Sequence, residues 1–238
     1  MKIAIIGYGK MGKTIEQLAL QSGDEVVLKI DQDNADELTT NNLCKADVAI
    51  EFTRPETAFD NITLCFKAGI PVVSGTTAWL DQYEDAVEAC EQKKGAFFYA
   101  SNFSIGVNIF FSLNEFLAKM MDGYPEYEVA LEEIHHTQKL DAPSGTAITL
   151  AEGIINHISR KNDWVSENDD KEGVIPIYSK RLDKVPGTHH VKYQSSIDDI
   201  EIIHTAHSRE GFARGALHAA KWLVGKKGVF GMKDMLGI

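Results

Sequence analysis

The stretch Glu132-Glu133-Ile134-His135-His136-Thr137-Gln138-Lys139-Leu140-Asp141-Ala142-Pro143-Ser144-Gly145-Thr146-Ala147 gathers more usable chemistry than any other part of the chain. His135 and His136 titrate near neutrality and can give or take a proton. Lys139 adds a full positive charge. Ile148, Ala151, Ile155 and Ile158 recur at helical spacing and predict a helix over Ala147–Ile158. Ser144 or Thr146 can cap it, and Pro143 keeps the preceding segment out of the helix. The N–H groups of Gly145 and Thr146 then face outward from a helix start, where a carboxylate or phosphate is favoured. A small anionic substrate in a proton-coupled reaction fits this set. Singly, each residue has a plainer account: one ring of a His pair on a strand points inward, and Ser-Gly-Thr is an ordinary cap. Their concentration within about a dozen residues argues for a site.

Elements must hold these groups in place. The apolar run Tyr127 to Ile134 reads as a strand that delivers the imidazoles at its far end. A second constellation opens the chain. A buried-strand run, Lys2 to Ile6, flows into Gly7-Tyr8-Gly9-Lys10-Met11-Gly12. A helix follows, with Met11, Ile15, Leu18 and Ala19 on one face and Gly23 as its stop. Glu25 to Ile30 is a second strand with Asp31 at its end. Strand, glycine loop, helix, strand and acid form the dinucleotide-binding fingerprint. Its glycines allow a tight turn and close approach to a pyrophosphate, and its acid takes ribose hydroxyls.

Further strands are expected at Asp47–Thr53, Pro71–Ser74 and Ala96–Ala100, and helices at Pro55–Ala68 and Ala78–Lys93. The crossover between the second and third strands is too short for a full helix. Strand ends at Gly7, Asp31, Phe52, Gly75 and Ser101 all carry small or polar residues, and ligands of open α/β sheets sit off those ends. The pattern then changes. Gly106–Met121 reads as a long apolar helix packed into a core. Strands follow at 126–135, 174–178, 190–196 and 199–207, with one helix at 145–160 and a loop from Arg160 to Gly173. A helix over Gly211–Val224 reads as the chain returning to the first domain. The fold expected is α/β: a Rossmann-like dinucleotide-binding domain of residues 1–105 and 209–238, plus an inserted α+β domain, 106–208, with an open mixed sheet. Two crossings, at about 105 and 209, imply hinge closure on the substrate.

Composition excludes other classes. The 238 residues carry a net charge of −11, which argues against nucleic acid or an anionic membrane as partner. No run of about 18 apolar residues suggests a membrane span. Cys44, Cys65 and Cys90 are odd in number and far apart, as in a reduced cytoplasm. His135-His136, His189-His190 and His204-x-x-His207 invite a metal. Adjacent strand residues point to opposite faces, though, and no HExxH or Cys/His cluster exists, so none is expected.

The string Glu133-Ile134-His135-His136 through Lys139 and Asp141-Ala142-Pro143-Ser144-Gly145-Thr146-Ala147 resembles the signature of the 4-hydroxy-tetrahydrodipicolinate reductase (dihydrodipicolinate reductase) family. Phe52-Thr53-Arg54-Pro55, Gly75-Thr76-Thr77, Ser101-Asn102-Phe103-Ser104-Ile105-Gly106-Val107-Asn108 and the Ala216–Ile238 stretch support it, so the likeness spans nearly the whole chain. The resemblance implies reduction of a cyclic 4-hydroxy dicarboxylate to tetrahydrodipicolinate, with loss of water and hydride from NADH or NADPH, in lysine and diaminopimelate biosynthesis. It implies a homotetramer formed through the sheet of the central domain. By position, His135 matches the family's proton donor/acceptor and Lys139 a second proton donor, and His136, Ser144, Gly145 and Thr146 match substrate contacts. Gly7, Tyr8, Gly9, Lys10, Met11, Gly12, Asp31, Phe52, Arg54, Gly75, Thr76, Thr77, Ser101, Asn102, Phe103 and Ser104 match cofactor segments. Here the first glycine loop is one residue shorter than in other members. Asp31 is followed by Gln32, which offers a 2′-phosphate no charge, so NADH is expected to be preferred, with NADPH tolerated through Lys10 or Arg54.

The chemistry agrees: hydride reaching a conjugated ring pushes electrons onward and a proton must follow, with Lys139 steadying the negative charge. Two alternatives compete. One is another two-domain dinucleotide-dependent dehydrogenase, of the semialdehyde or homoserine type; its acylating semialdehyde version needs a Cys nucleophile, and the cysteines fall in or beside first-domain helices. An NADH-binding redox sensor would need neither His135 nor Lys139.

Overall fold

The computed structural model describes residues 1–166, 172–208 and 210–238. The chain forms two compact units, Met1–Ile105 with Glu210–Ile238, and Gly106–Arg209. The crossing expected at 209 lies outside the described residues. Strands β1 (Lys2–Ile6), β2 (Glu25–Ile30), β3 (Val48–Glu51), β4 (Val72–Ser74) and β5 (Ala96–Tyr99) belong to the first unit. Strands β6 (Glu128–His135), β7 (Asp163–Ser166), β8 (Val174–Arg181), β9 (Gly187–Gln194) and β10 (Asp199–Ala206) belong to the second, and β11 (Gly228–Phe230) returns to the first.

The first sheet is wholly parallel, in the order β11-β5-β4-β3-β1-β2. Parallel sheets are covered on both faces, so their strands read as continuous apolar runs; all four residues of β3 are buried. Ile3, Ile5, Val48 and Phe98 pack with helices α1 (Lys10–Gln21) and α7 (Glu210–Leu223). The alternating Ala4, Ile6, Ala49 and Phe97 pack with α3 (Pro55–Ala68) and α4 (Tyr83–Gln92). The β2–β3 connection holds only a 3₁₀ turn, Gln32–Glu37, and one helical turn, α2 (Thr40–Leu43). Helix α3 spans the residues expected: Pro55 opens it and Gly69, at φ 75°, ends it. Helix α4 starts five residues later than expected, because Ala78 takes a positive φ of 62° and a 3₁₀ turn, Leu80–Gln82, intervenes. Strand β11 and helix α8 (Met232–Leu236) are too short to leave a readable period.

The second sheet is mixed, in the order β10-β9-β6-β8-β7. Strand β6 runs parallel to β8 and antiparallel to β9. Helices α5 (Ile105–Met121) and α6 (Gly145–Ile155) cover one face, where Val129, Leu131, Ile177, Val191 and Tyr193 join their core. Asn114 donates its amide to the Leu150 carbonyl (2.9 Å), tying the two helices. Several expectations shift: β8 runs on from 178 to Arg181, and β9 spans Gly187–Gln194 rather than 190–196. Strand β7 forms within the stretch read as a loop, whose residues 167–171 lie outside the described residues. Helix α6 ends at Ile155, and its inner face is Ala147, Leu150, Ala151 and Ile154, with Ile148 and Ile155 only half-buried. Helix α5 is not all core: Ile109, Leu113, Phe116 and Met120 keep 45–61% of their surface exposed, and large apolar residues on more than one face left the inner face unnamed by the pattern.

Close backbone approach pins α7. A Cβ on Gly215 would sit 1.7 Å from the Phe103 carbonyl oxygen. Gly215→Ala should therefore cost about 1–3 kcal/mol in urea unfolding, the usual penalty of overpacking; an unchanged midpoint would mean that the 101–104 loop yields freely.

Candidate active site

Period-two alternation places Val129, Leu131, Glu133 and His135 on the covered face of β6 and leaves His136 to the other side. Register then builds a cluster around Glu133, which has no exposed surface. Glu133 pairs with Ser179 on β8 and His189 on β9, and His135 pairs with Arg181. The Ser179 hydroxyl (2.9 Å) and an Arg181 N–H (3.1 Å) donate to Glu133 Oε1, and the Ser144 N–H donates to Oε2 (3.0 Å). His135 Nδ1 stands 3.4 Å from Oε2 and His189 Nε2 3.9 Å. The two imidazoles meet edge to face, centroids 5.1 Å apart. The other end of the His135 ring lies over Gly187, where a Cβ would come within 3.0 Å of Nε2.

Burial pulls upward on the Glu133 pKa, but donors from Ser144, Ser179 and Arg181 hold it below the usual carboxylate range. Burial depresses His135; the Glu133 charge opposes this, and the Lys139 and Arg181 charges add to it. Burial, with the neighbouring His135, takes His189 down to about 4, so it is neutral at pH 7.

Ser144 is the N-cap of α6, its Oγ accepting the Ala147 N–H (3.3 Å) and lying 3.2 Å from His189 Nε2. Its polar groups are thus engaged inside the cluster, and only 3% of the residue is exposed. Gly145 is exposed with open space before it, and Thr146 is half-buried beside it. Lys139 is held by both carboxylate oxygens of Asp141 (2.7 and 2.8 Å), whose carbonyl accepts from Arg181 (2.6 Å). His136 lines a cavity of about 340 Å³ with Thr137, Gln138, Asp183, Lys184, Val185 and Pro186.

The first unit brings the dinucleotide residues to the β1/β3 point, where the strand order reverses. Gly7 has φ 97°, and a Cβ there would lie 1.9 Å from the Phe52 carbonyl oxygen. A Cβ on Gly12 would meet the Gly7 carbonyl at 2.4 Å, whereas Gly9 faces open space. Those are the three glycine roles of a pyrophosphate turn. The N–H groups of Gly7 and Tyr8 donate to the Ile30 carbonyl (2.9 Å each). Those of Lys10, Met11 and Gly12 start α1 with no partner inside the helix. Asp31, Gln32, Arg54, Thr57 and Asn61 line a pocket of about 180 Å³ beside Gly7, so the residues fit a dinucleotide.

Other expected cofactor residues hold the loops. Tyr8 bonds Glu16, with the Lys29 and Lys13 ammoniums over its ring. Met11 packs on the core. Phe103 is buried against Phe52 and Phe98 (centroids 5.7 and 5.9 Å). Asn102 accepts the Ser104 N–H (2.9 Å), while Ser101 and Thr77 are exposed. Thr76 is buried and, with Ser74 and Thr53, donates its hydroxyl to Glu51. Gly75 lies so close to the Phe52 ring that a Cβ would come within 2.1 Å of it.

Glu133, Ser179, Arg181, His189 and Glu51 carry no role in the sequence reading. Their signal is cross-strand register, which adjacent-residue spacing does not report. Donor atoms of Glu133, His135 and His189 lie within 4.8 Å of one another, a spacing an ion could bridge. Arg181, Ser179 and Ser144 already engage the carboxylate, so the cluster is built as a hydrogen-bonded hub. Among the described residues no helix is long and apolar enough to cross a membrane.

His189 makes stability sensitive to acid. Its folded pKa lies below the unfolded value of about 6.5, so between pH 6.5 and 4 the unfolded chain binds a proton that the folded chain refuses. Stability should fall through that window as pH falls, by roughly 3 kcal/mol from this group. His189→Gln should flatten that part of the curve in urea titrations; equal slopes would contradict it.

The family described as dihydrodipicolinate reductase, N-terminus, matches residues 1–103, and its C-terminus counterpart matches residues 106–236. A 4-hydroxy-tetrahydrodipicolinate reductase of Christiangramia forsetii is 55% identical over 236 residues, 99% of this chain and 98% of that protein. One from Neisseria meningitidis is 33% identical, covering 100% of this chain and 98% of its own. The solved dipicolinate-bound dihydrodipicolinate reductase of Paenisporosarcina sp. TG-14 superposes with a TM-score of 0.78 at 25% identity, over 98% of each chain. The chain belongs to the 4-hydroxy-tetrahydrodipicolinate reductase family.

Proposed function

We propose that the chain reduces 4-hydroxy-tetrahydrodipicolinate to tetrahydrodipicolinate, with loss of water, and that His135 and Lys139 carry the proton chemistry. The observation that carries the reading is the His135 ring seated on a buried carboxylate beside the open start of α6. The bound nicotinamide supplies hydride. The chain's own residues do the rest. The N–H groups at Gly145 and Thr146, with His136, attract a substrate carboxylate. His135 Nε2 protonates the ring as negative charge develops, and Lys139 steadies that charge after exchanging Asp141 for substrate.

In this reading the Gly7–Gly12 turn and the 52–54, 75–77 and 101–104 loops hold NAD(P)H. Asp31 takes the ribose hydroxyls and favours NADH, and Arg54, on the same pocket, gives NADPH a weaker foothold. A homotetramer belongs to the reading too, supported by the outer face of the second sheet, where Ile203 of β10 is 57% exposed. Sedimentation velocity should show four chains; a stable monomer would remove that part. Action in the cytoplasm is consistent with three free cysteines, and cell fractionation checks it.

The decisive assay follows NADH oxidation at 340 nm, with substrate made in place from pyruvate and aspartate semialdehyde by the preceding synthase. His135→Gln and Lys139→Ala should each lose about 10²-fold or more in turnover. NADH should give the higher kcat/KM. A wild type that binds NADH but never oxidises it would overturn the reading, and a marked NADPH preference would overturn the role of Asp31.

A further inference from the structure

Glu133 and His135 are two residues apart on one face of β6, and the Glu133 carboxylate is boxed in. Ser179 and Arg181 fix one oxygen; the Ser144 N–H fixes the other and aims it at His135 Nδ1, 3.4 Å away. Nδ1 is buried and makes no hydrogen bond in this arrangement, so the Glu133 carboxylate, at ion-pair distance, is the acceptor set for its proton. The opposite nitrogen, Nε2, points away from the carboxylate, over Gly187. A carboxylate at one ring nitrogen holds the proton there and so decides which nitrogen is left to react.

We infer that Glu133 is the positioning residue of this reaction: it holds His135 as the Nδ1–H tautomer, stabilises the imidazolium, and leaves Nε2 as the atom that gives up the proton. The inference rests on the reading of His135 as proton carrier. In the step itself the Nε2–H bond breaks and the proton passes to the substrate ring, whose negative charge it cancels. The imidazolium becomes neutral imidazole, with Nδ1–H still directed at Glu133, and the carboxylate stays ionised throughout.

The charges around His135 show why this acid matters. Glu133 from β6 and Asp141 from the following loop are negative; Lys139 from that loop and Arg181 from β8 are positive. His189 from β9 lies against the ring, with His204 from β10 beyond it. Asp141 is exposed and occupied by Lys139, so Glu133 is the buried anion opposing two cations and desolvation. Without its charge the imidazolium loses its main support.

The test compares wild type, Glu133→Gln, Glu133→Asp and His135→Gln as full chains in the same assay across pH 5–9, with melting temperatures measured alongside. An opposite charge at this range is worth about one pH unit or more. The alkaline limb of kcat for Glu133→Gln should therefore move about one unit to lower pH, with a roughly tenfold loss at neutral pH. Both KM values should stay within about threefold, and Glu133→Asp should recover part of the limb. An unmoved limb in a folded Glu133→Gln, beside an inactive His135→Gln, overturns the role of Glu133 alone. Full turnover by His135→Gln overturns the proton-carrier reading and this inference with it. A second readout needs no Glu133 variant: ¹⁵N NMR of wild-type histidines should show His135 as the Nδ1–H tautomer above its pKa, and an Nε2–H tautomer overturns the inference.

Discussion

A carboxylate with no exposed surface must be answered by donors, because an unpaired buried charge costs several kcal/mol. Glu133 sets that demand on the second unit. The answer comes from three donors: Ser179 and Arg181 on β8, and the backbone of Ser144 at the head of α6. His189 on β9 closes the fourth side. A one-residue slip of β6 would turn Glu133 outward and bring Glu132 against the helices. The demand of one acid therefore fixes strand register, the seat of α6 and the orientation of His135 together. Fold and chemistry rest on the same bonds here.

The first unit repeats the device with different chemistry. Glu51, at the end of β3, is also fully buried, but its donors are the hydroxyls of Thr53, Ser74 and Thr76 and the Thr53 N–H. No cation appears among them. Burial consequently pushes Glu51 up, while Arg181 helps hold Glu133 down. The acid beside His135 is kept ionised; the other laces the ends of β3 and β4. Phe52, the next residue, then takes the close approach of both Gly7 and Gly75. The glycine turn after β1 and the loop after β4 share one support.

Most of this architecture was legible because the periods were strong. The run Lys2–Ile6, the helix Pro55–Ala68 and the strand reaching His135 appear where apolar spacing puts them. The fold class held for the same reason: parallel strands buried on both faces read differently from the alternating strands after Tyr127. What stayed hidden was of two kinds. Pieces of three to five residues, β7, β11 and α8, are too short to show a period. Contacts across strands, such as Glu133 with His189 or Ser144 with Glu133, depend on register, which no local spacing encodes. The His189-His190 pair was visible, yet which ring turned inward, and toward what, was not. Helix α5 failed differently, because large apolar residues on more than one face left its inner face unnamed.

The two ends of the chain share one core. Ala213, Ala216, Leu217 and Leu223 of α7 pack with Ile3, Ile5 and Ile15, and β11 adds a strand beside β5. That arrangement has a consequence for synthesis. On the ribosome, residues 1–105 emerge with one face of their sheet covered by α1 alone and the β5 edge unpaired, and stay so until residues 210–230 arrive. The segment between is continuous in sequence and holds its own core, so it can close while the older segment waits. The usual order, in which the first domain to emerge is the first to fold, is inverted. The waiting interval is when an exposed parallel sheet is most open to wrong partners, and it lasts as long as translation of the inserted unit.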